Sequence, residues 1–418
     1  MRLRTRALEV VENVRDSYWV LPGVLAFAGF ALGLTVVLLD AHLGDEWLGR
    51  YEWFYGSRPA GARQILATIA GSTITVAGVV FSITLAAVTY ASGQYGPRLL
   101  SNFIRDRGNQ ATLGVFVGTF LYCLVVLRTI RSADEAGADA GGREAFVPHI
   151  AMFGAIALAV ASISVLIYFV HHVTSAIHIN NVIAKIGRKL VADIRERGEH
   201  GQGELGELAV PPQGNALPIR ADRTGYIEAI DEGALLDLAC RHDIVLQLAR
   251  RPGDFVHEGR PLLEVQPGKR LDPAISKSCN AAFVIGGRRT ALQDLRFGVD
   301  ELVEIAARAL SPGVNDPFTA IACIDWLGAA LSEIGMLAPP RAAILGKAGE
   351  VRVVLRVLGF EDYLASAFGQ LSPYVARDPN ARHWTLATLD EVAAGLRSEE
   401  YRRLVLEEMR ELRERVEQ

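Results

Sequence analysis

Four stretches of this 418-residue chain are long and apolar enough to cross a lipid bilayer. They run from Trp19 to Leu39, Gln64 to Tyr90, Ala111 to Leu127 and Val147 to Val170. A hydrocarbon core about 30 Å thick needs roughly 20 mostly apolar residues per helix. None of the four carries an ionisable residue in its middle, where a charge is costly in lipid. The first is not expected to be a cleaved signal peptide. Its apolar run is long, it starts late, and no small-residue cleavage pattern precedes Asp40. Half of the chain is apolar and mean hydropathy is positive, +0.22, whereas an aqueous chain of similar apolar share has a negative value. A disordered chain, a collagen and a disulfide scaffold are excluded. A formal net charge of −4 gives no support for nucleic acid as a partner.

Basic residues in the short flanks set an orientation. Arg2, Arg4, Arg6 and Arg15 precede the first span, and Arg98, Arg105 and Arg107 follow the second. Lys185, Arg188, Lys189, Arg195 and Arg197 follow the fourth. The other two loops hold only Arg50, Arg58, Arg63, Arg131 and Arg143. By the positive-inside rule both termini are expected in the cytoplasm. Tyr18 and Trp19, then Trp47, Tyr51, Trp53 and Tyr55, sit where interfacial anchors belong. Cys240, Cys279 and Cys323 fall on the reduced side and Cys123 in a span, so no disulfide framework is expected. No CxxC or Cys/His cluster points to a metal, and no cofactor is expected.

The second span is more than an anchor. Gly71, Thr75, Gly78, Ser82, Ala86 and Thr89 recur at helical spacing on one face, with Ser72 beside them, while Ile74, Phe81, Leu85 and Val88 fall elsewhere. Such a face makes either a tight helix–helix seam or the weakly polar wall of a path in an oligomer. Gly29 and Gly33, then Gly114 and Gly118, form GxxxG pairs suited to close packing. Pro97 ends the second helix, leaving Arg98 to meet lipid phosphates or ring a cytoplasmic mouth.

Past the fourth span, Ile177, Ile183, Ile186, Leu190 and Ile194 continue one apolar stripe. The period predicts a continuous helix reaching about 37 Å beyond the bilayer. His171, His172 and His178 near its start read as a polar surface. Residues 198–215, rich in Gly, Pro and Glu, read as a linker. A β-rich part follows: strands at Tyr226-Ile227 and Ile244–Leu248 flank a helix over Glu232–Cys240. The run Arg251–Val265, with two glycine turns and two short strands, resembles half of a lipoyl-type barrel–sandwich domain. Lys269 and Lys277 lack the setting of a modified lysine, so it reads as structural. The rest is expected to be helical. Ser311-Pro312-Gly313 stops one helix, and Asp316 with Pro317 caps and starts the next. Arg288, Arg289, Arg308, Asn315 and Asp316 form a candidate anion or small-ligand site, against the plainer reading of a capped turn.

The stretches Ala91-Ser-Gly-Gln-Tyr-Gly-Pro-Arg-Leu-Leu100 and Ala309-Leu-Ser-Pro-Gly-Val-Asn-Asp-Pro-Phe-Thr-Ala320 resemble signatures of the bacterial domain-of-unknown-function 2254 family of predicted membrane proteins. Gly93 stands where serine is usual. The resemblance implies the architecture, four spans followed by a cytoplasmic region, and a bacterial origin, and it implies no activity; a bacterial inner-membrane location is expected.

The expected fold is an α-helical integral membrane protein: a four-helix transmembrane domain over 1–170, a helical extension and linker over 171–216, a β-rich cytoplasmic module over 217–280 and a helical cytoplasmic domain over 281–418. The function read from it is a homo-oligomeric channel or channel-like transport protein, with the cytoplasmic part serving assembly or gating. The alternative is a non-conducting scaffold or sensor whose cytoplasmic part binds a ligand or partner. No GxSxG, P-loop, Rossmann fingerprint or HExxH supports an enzyme. The partners expected are the lipid bilayer, further copies of the chain, and an ion or small ligand.

Overall fold

The computed structural model describes residues 17–43, 59–95, 106–131, 146–200, 215–337 and 342–415. The chain divides into two compact units, one within Glu12–His178 and the other within Ile179–Gln418.

Among the described residues the first unit holds four helices, α1 (Val20–Leu43), α2 (Pro59–Tyr95), α3 (Arg107–Thr129) and α4 (His149–Ile177). All four, and one helix of the second unit, are long and apolar enough to cross a membrane. Helix α3 is the hub and packs against the other three. Its contact with α1 is made by the two GxxxG pairs, which meet each other. The backbone of Gly29 lies against that of Gly118, Gly118 against the Leu25 carbonyl, and Gly114 against Leu25 and Pro22. Without a hydrophobic drive between helices in lipid, such backbone approach supplies the packing attraction.

Several polar side chains tie these helices together. Thr119 Oγ1 and Ser162 Oγ, on α3 and α4, are 3.2 Å apart. The Tyr122 hydroxyl donates to the Ala151 carbonyl at 3.0 Å, passing over Gly154. Asp40, at the end of α1, accepts from the Ala151 N–H at 3.0 Å and so satisfies an orphan donor in the first turn of α4. Arg63 Nη2 donates to the Ile130 carbonyl at the end of α3. Lipid offers no replacement for these bonds, so each polar group placed here must find its partner within the protein.

The stripe of Ile183, Ile186, Leu190 and Ile194 does not continue α4. His178 adopts an extended backbone (φ −67, ψ 118), and a separate helix α5 (Ile179–His200) begins after it. Those four residues are buried, α5 packs on two further helices of the second unit, and Gly187 lies beneath the Trp326 ring. The stripe is thus a core face of the second unit and not a free stalk.

The β layer of the second unit has two sheets. In chain order the elements are β1 (Leu217–Arg220), β2 (Gly225–Ile230), α6 (Glu232–His242), β3 (Val245–Leu248), β4 (Phe255–Val256), β5 (Pro261–Gln266), α7 (Pro273–Ala281) and β6 (Phe283–Gly286). They form two strand–strand–helix–strand halves that exchange strands. Strand β5 pairs with β1 and β3, and β2 pairs with β4 and β6, all antiparallel. The registers are reciprocal: Val245 faces Gln266 as Phe283 faces Ile230, and Leu246 faces Val265 as Val284 faces Ala229. Asp231 caps α6 and Asp272 caps α7 in the same way. The interior is apolar, with Ile227, Leu235, Ile244, Leu246, Leu262, Val265 and Phe283 buried. The β structure expected within Arg251–Val265 is present, and Gly253 and Gly259 take the positive φ of its two turns (+90° and +84°). Its two strands lie in different sheets rather than pairing with each other.

The chain then forms α8 (Leu295–Ala309), α9 (Pro317–Met336), β7 (Ala343–Leu345), β8 (Val351–Val354), α10 (Phe360–Leu364), a single π turn, α11 (Gln370–Val375), α12 (Pro379–Gly395) and α13 (Glu399–Glu414). Strand β8 adds parallel to β3 and carries β7 at its edge, so the β layer takes strands from both sides of residue 280. Helix α9 is the fifth apolar helix. It buries Cys323, Ile324, Leu327 and Leu331 and packs against α5, α8 and α12 of its own unit. Each such aliphatic side chain contributes roughly 1.5–3 kcal/mol by leaving water.

Candidate functional site

Helix α2 has two opposite faces. Ala62, Leu66, Ala70, Thr73, Ala77, Val80 and Thr84 recur every three or four residues and are buried against the bundle. Gly71, Thr75, Gly78, Ser82 and Thr89 lie on the far side, and they and Ser72 are exposed. No atom of another element comes within 4 Å of where a side chain would start at Gly71 or Gly78. Within the chain this stripe is therefore not a seam; the seam is the alanine-rich face. The four hydroxyls are satisfied locally. Thr75 donates to Gly71 O, Ser82 to Gly78 O and Thr89 to Leu85 O, all at 2.8–2.9 Å, and Ser72 donates to Ile69 O at 3.0 Å. Their oxygens keep the capacity to accept from outside.

The outward face of α4 is built differently. Phe153, Ile156, Val160, Ile163, Ile167 and Val170 stand 40–68% exposed along it. That is the composition a lipid-facing helix needs. On α2, large residues flank the small stripe instead, with Ile74, Phe81 and Leu85 on one side and Val79 and Ile83 on the other. Arg98 lies outside the described residues.

One polar cluster of this unit escaped the sequence reading. Asp106 caps α3, accepting from the Gly108 and Asn109 N–H groups, and the same oxygen lies 2.8 Å from His172 Nε2 on α4. The His172 ring stacks on Tyr168 of its own helix and lies against Gly108, where a side chain would displace it. The partners are 66 residues apart. The only local signal was Asp106 before a helix start, which announces a cap and not its second partner. His171 and His178 are exposed.

In the second unit the five candidate anion-site residues do not come together. Arg289 sits before α8, where Nε donates to Asp294 at 2.6 Å and Nη1 to Asp300. Burial opposes its charge, and the two carboxylates more than offset this and push its pKa further up. Asn315 (φ +50) and Asp316 follow the other end of α8, a helix of 15 residues and so about 22 Å long. Asp316 is occupied as the cap of α9, accepting from the Thr319 N–H at 3.2 Å and hydroxyl at 2.6 Å. Arg308 lies at that same end and Arg288 beside Arg289. The capped turn is what the geometry shows.

A family model described as "Predicted membrane protein (DUF2254)" matches residues 15–391. An uncharacterized protein of Mycobacterium bovis and one of Mycobacterium tuberculosis strain H37Rv are each 31% identical to this chain over 401 residues, covering 93% of it and 74% of their own length. No solved structure matches. With a family model spanning both units and relatives aligned over nearly the whole chain, this protein belongs to the DUF2254 family of predicted membrane proteins.

Proposed function

We propose that the chain is the subunit of a homo-oligomeric membrane channel or channel-like transport protein, in which the α2 helices of several copies ring an axis. The contrast between the two outward faces carries this reading. Lipid is matched by large aliphatic side chains, as on α4, and gains nothing from Gly and Ser. On a ring of helices the same pattern has a use. The large flanks, Phe81 and Leu85 on one side and Val79 and Ile83 on the other, fill the contacts between neighbours. The small stripe leaves room at the axis, where Ser and Thr oxygens face the permeant species. We further propose four spans with both termini in the cytoplasm of a bacterial inner membrane. The excess of basic residues in the inner loops supports this orientation. The core packing of α9 supports a count of four rather than five. The second unit then serves assembly or gating.

A second reading, a non-conducting scaffold or sensor, draws on the four hydroxyl donors being spent inside the helix, which suits a dry helix contact between copies.

Ser82→Trp separates the two. With the stripe at an open axis, the indole fills the lumen and reconstituted ion flux falls at least tenfold while the assembly mass on size exclusion is unchanged. Phe81→Leu, on the flank, leaves flux intact. If the stripe is a dry contact, the same indole separates the helices and the assembly mass falls instead.

A further inference from the structure

Helices α5, α8 and α9 give the second unit a common axis. Trp326 of α9 lies over Gly187 of α5, Glu333 pairs with Arg195, and Leu337, at the end of α9, lies against Gly198. The two sets of positions rise together, so α5 and α9 run parallel. Phe318 and Ile179 each precede the first of these contacts by eight residues and lie at one level, about 12 Å before it. Helix α8 packs on both and, joined to α9 by a short turn, runs the other way. Its Gly298 lies against Leu190. Eleven residues on, about 16 Å, Ala309 reaches the level of Ile179. The turn over Leu310–Asp316 thus closes the end of the unit at which α5 begins. Only His178 separates Ile179 from the last residue of α4. Two peptide links span at most about 7.6 Å, so covalent geometry alone keeps this end of the unit near the end of α4.

The turn and the start of α9 are apolar where they are most exposed. Phe318 is 76% exposed, and among the described residues no large apolar side chain is more so, those of α1 and α4 included (Phe27 70%, Ile167 68%). Val314 is 43% exposed, and Pro312 is exposed as well. The polar groups behind them are already bonded. The N–H groups of Ser311, Val314, Asn315 and Asp316 donate to carbonyls of the turn and of the end of α8. The Asp316 carboxylate is spent on Thr319. A backbone satisfied from within enters the headgroup layer without stranding donors. An exposed aromatic ring leaves water by doing so.

We propose that this turn dips into the headgroup layer of the bilayer that α4 crosses, with Phe318 as its anchor and Val314 and Pro312 beside it. The second unit is then held to the membrane at two points, the chain at His178 and the ring of Phe318. The proposal rests on α4 being a span and α9 not being one, and it stands whether or not the bundle conducts.

Single cysteines at Phe318, Ala329 and Met336, in the full chain with Cys240 changed to serine, test it. Ala329 and Met336 are exposed on the same helix, about 16 and 27 Å further along. Each cysteine carries an environment-sensitive fluorophore, and the protein is reconstituted into nanodiscs whose phosphatidylcholine is spin-labelled near the top of its acyl chain. Quenching by this lipid is expected to be at least threefold stronger at Phe318→Cys than at Ala329→Cys or Met336→Cys. Iodide in the aqueous phase should quench Phe318→Cys least of the three. Equal quenching by lipid at Phe318→Cys and Met336→Cys overturns the proposal and leaves the four spans untouched. Protection of Phe318→Cys from iodide without quenching by lipid also overturns it, and would put a second copy of the chain on the turn. Strong quenching by lipid at Phe318→Cys and Ala329→Cys alike would make α9 a fifth span, overturning the proposal and the four-span reading together.

Discussion

Gly118→Leu is expected to abolish the folded four-helix unit. A side chain at this position is driven into the Leu25 carbonyl of α1, 2.8 Å from where its Cβ would begin, and Gly29 stands just beyond. The obstacle is backbone, which cannot rotate away as a side-chain tip can. Overpacking in a tight core costs about 1–3 kcal/mol even where side chains can adjust. Here α1 must leave α3 by several ångströms, and the packing lost has no hydrophobic replacement in lipid. Loss of monodisperse protein on extraction into mild detergent is the readout. Gly93→Leu, at an exposed position of α2 with open space around it, should extract normally.

The second large effect falls in the other unit. Arg289→Met removes the guanidinium that joins Asp294 to Asp300, whose side chains are only 5% and 9% exposed. Removing one partner of a buried pair leaves charge stranded, which costs about 3–5 kcal/mol. For a unit of this size that corresponds to a fall in Tm on the order of 10 °C. Arg289→Lys should recover part of it, since an ammonium can satisfy one carboxylate but not span two as a planar fork does. Thermal unfolding followed by near-ultraviolet circular dichroism compares the three proteins. Equal melting of wild type and Arg289→Met would mean that the network contributes nothing.

The apolar spans were legible because a bilayer demands a length and composition that few segments of a chain reach, α9 being the further one here. The GxxxG pairs were legible as motifs, yet their meeting was not, because spacing within a helix says nothing about the helix opposite. On α2 the small-residue stripe could be read from its spacing. The direction it faces could not, since Ala62, Ala70 and Ala77 give the buried side an equally small profile. The break at His178 has no glycine or proline to announce it, and the apolar period runs straight through, so one long helix was the natural expectation. Asp316 as a cap and Pro317 in the first turn followed from local chemistry alone, which is why that part of the reading matched the geometry. Arg289 and Asp316 were grouped because they are close in sequence, and α8 holds them apart. The duplicated β halves were hidden because their pairing runs between halves and because α6 and α7 differ in length, which shifts the repeat along the chain.

The central claim is that copies of the chain meet around the outward face of α2. Single cysteines placed at Ser82 and at Ile163, in a chain whose exposed Cys240 has been changed to serine, test it most directly. In native membranes a short bismaleimide should link Ser82→Cys chains into dimers and higher species, and should leave Ile163→Cys, on the aliphatic face of α4, as single chains. Ladders from Ile163→Cys with none from Ser82→Cys would contradict the account.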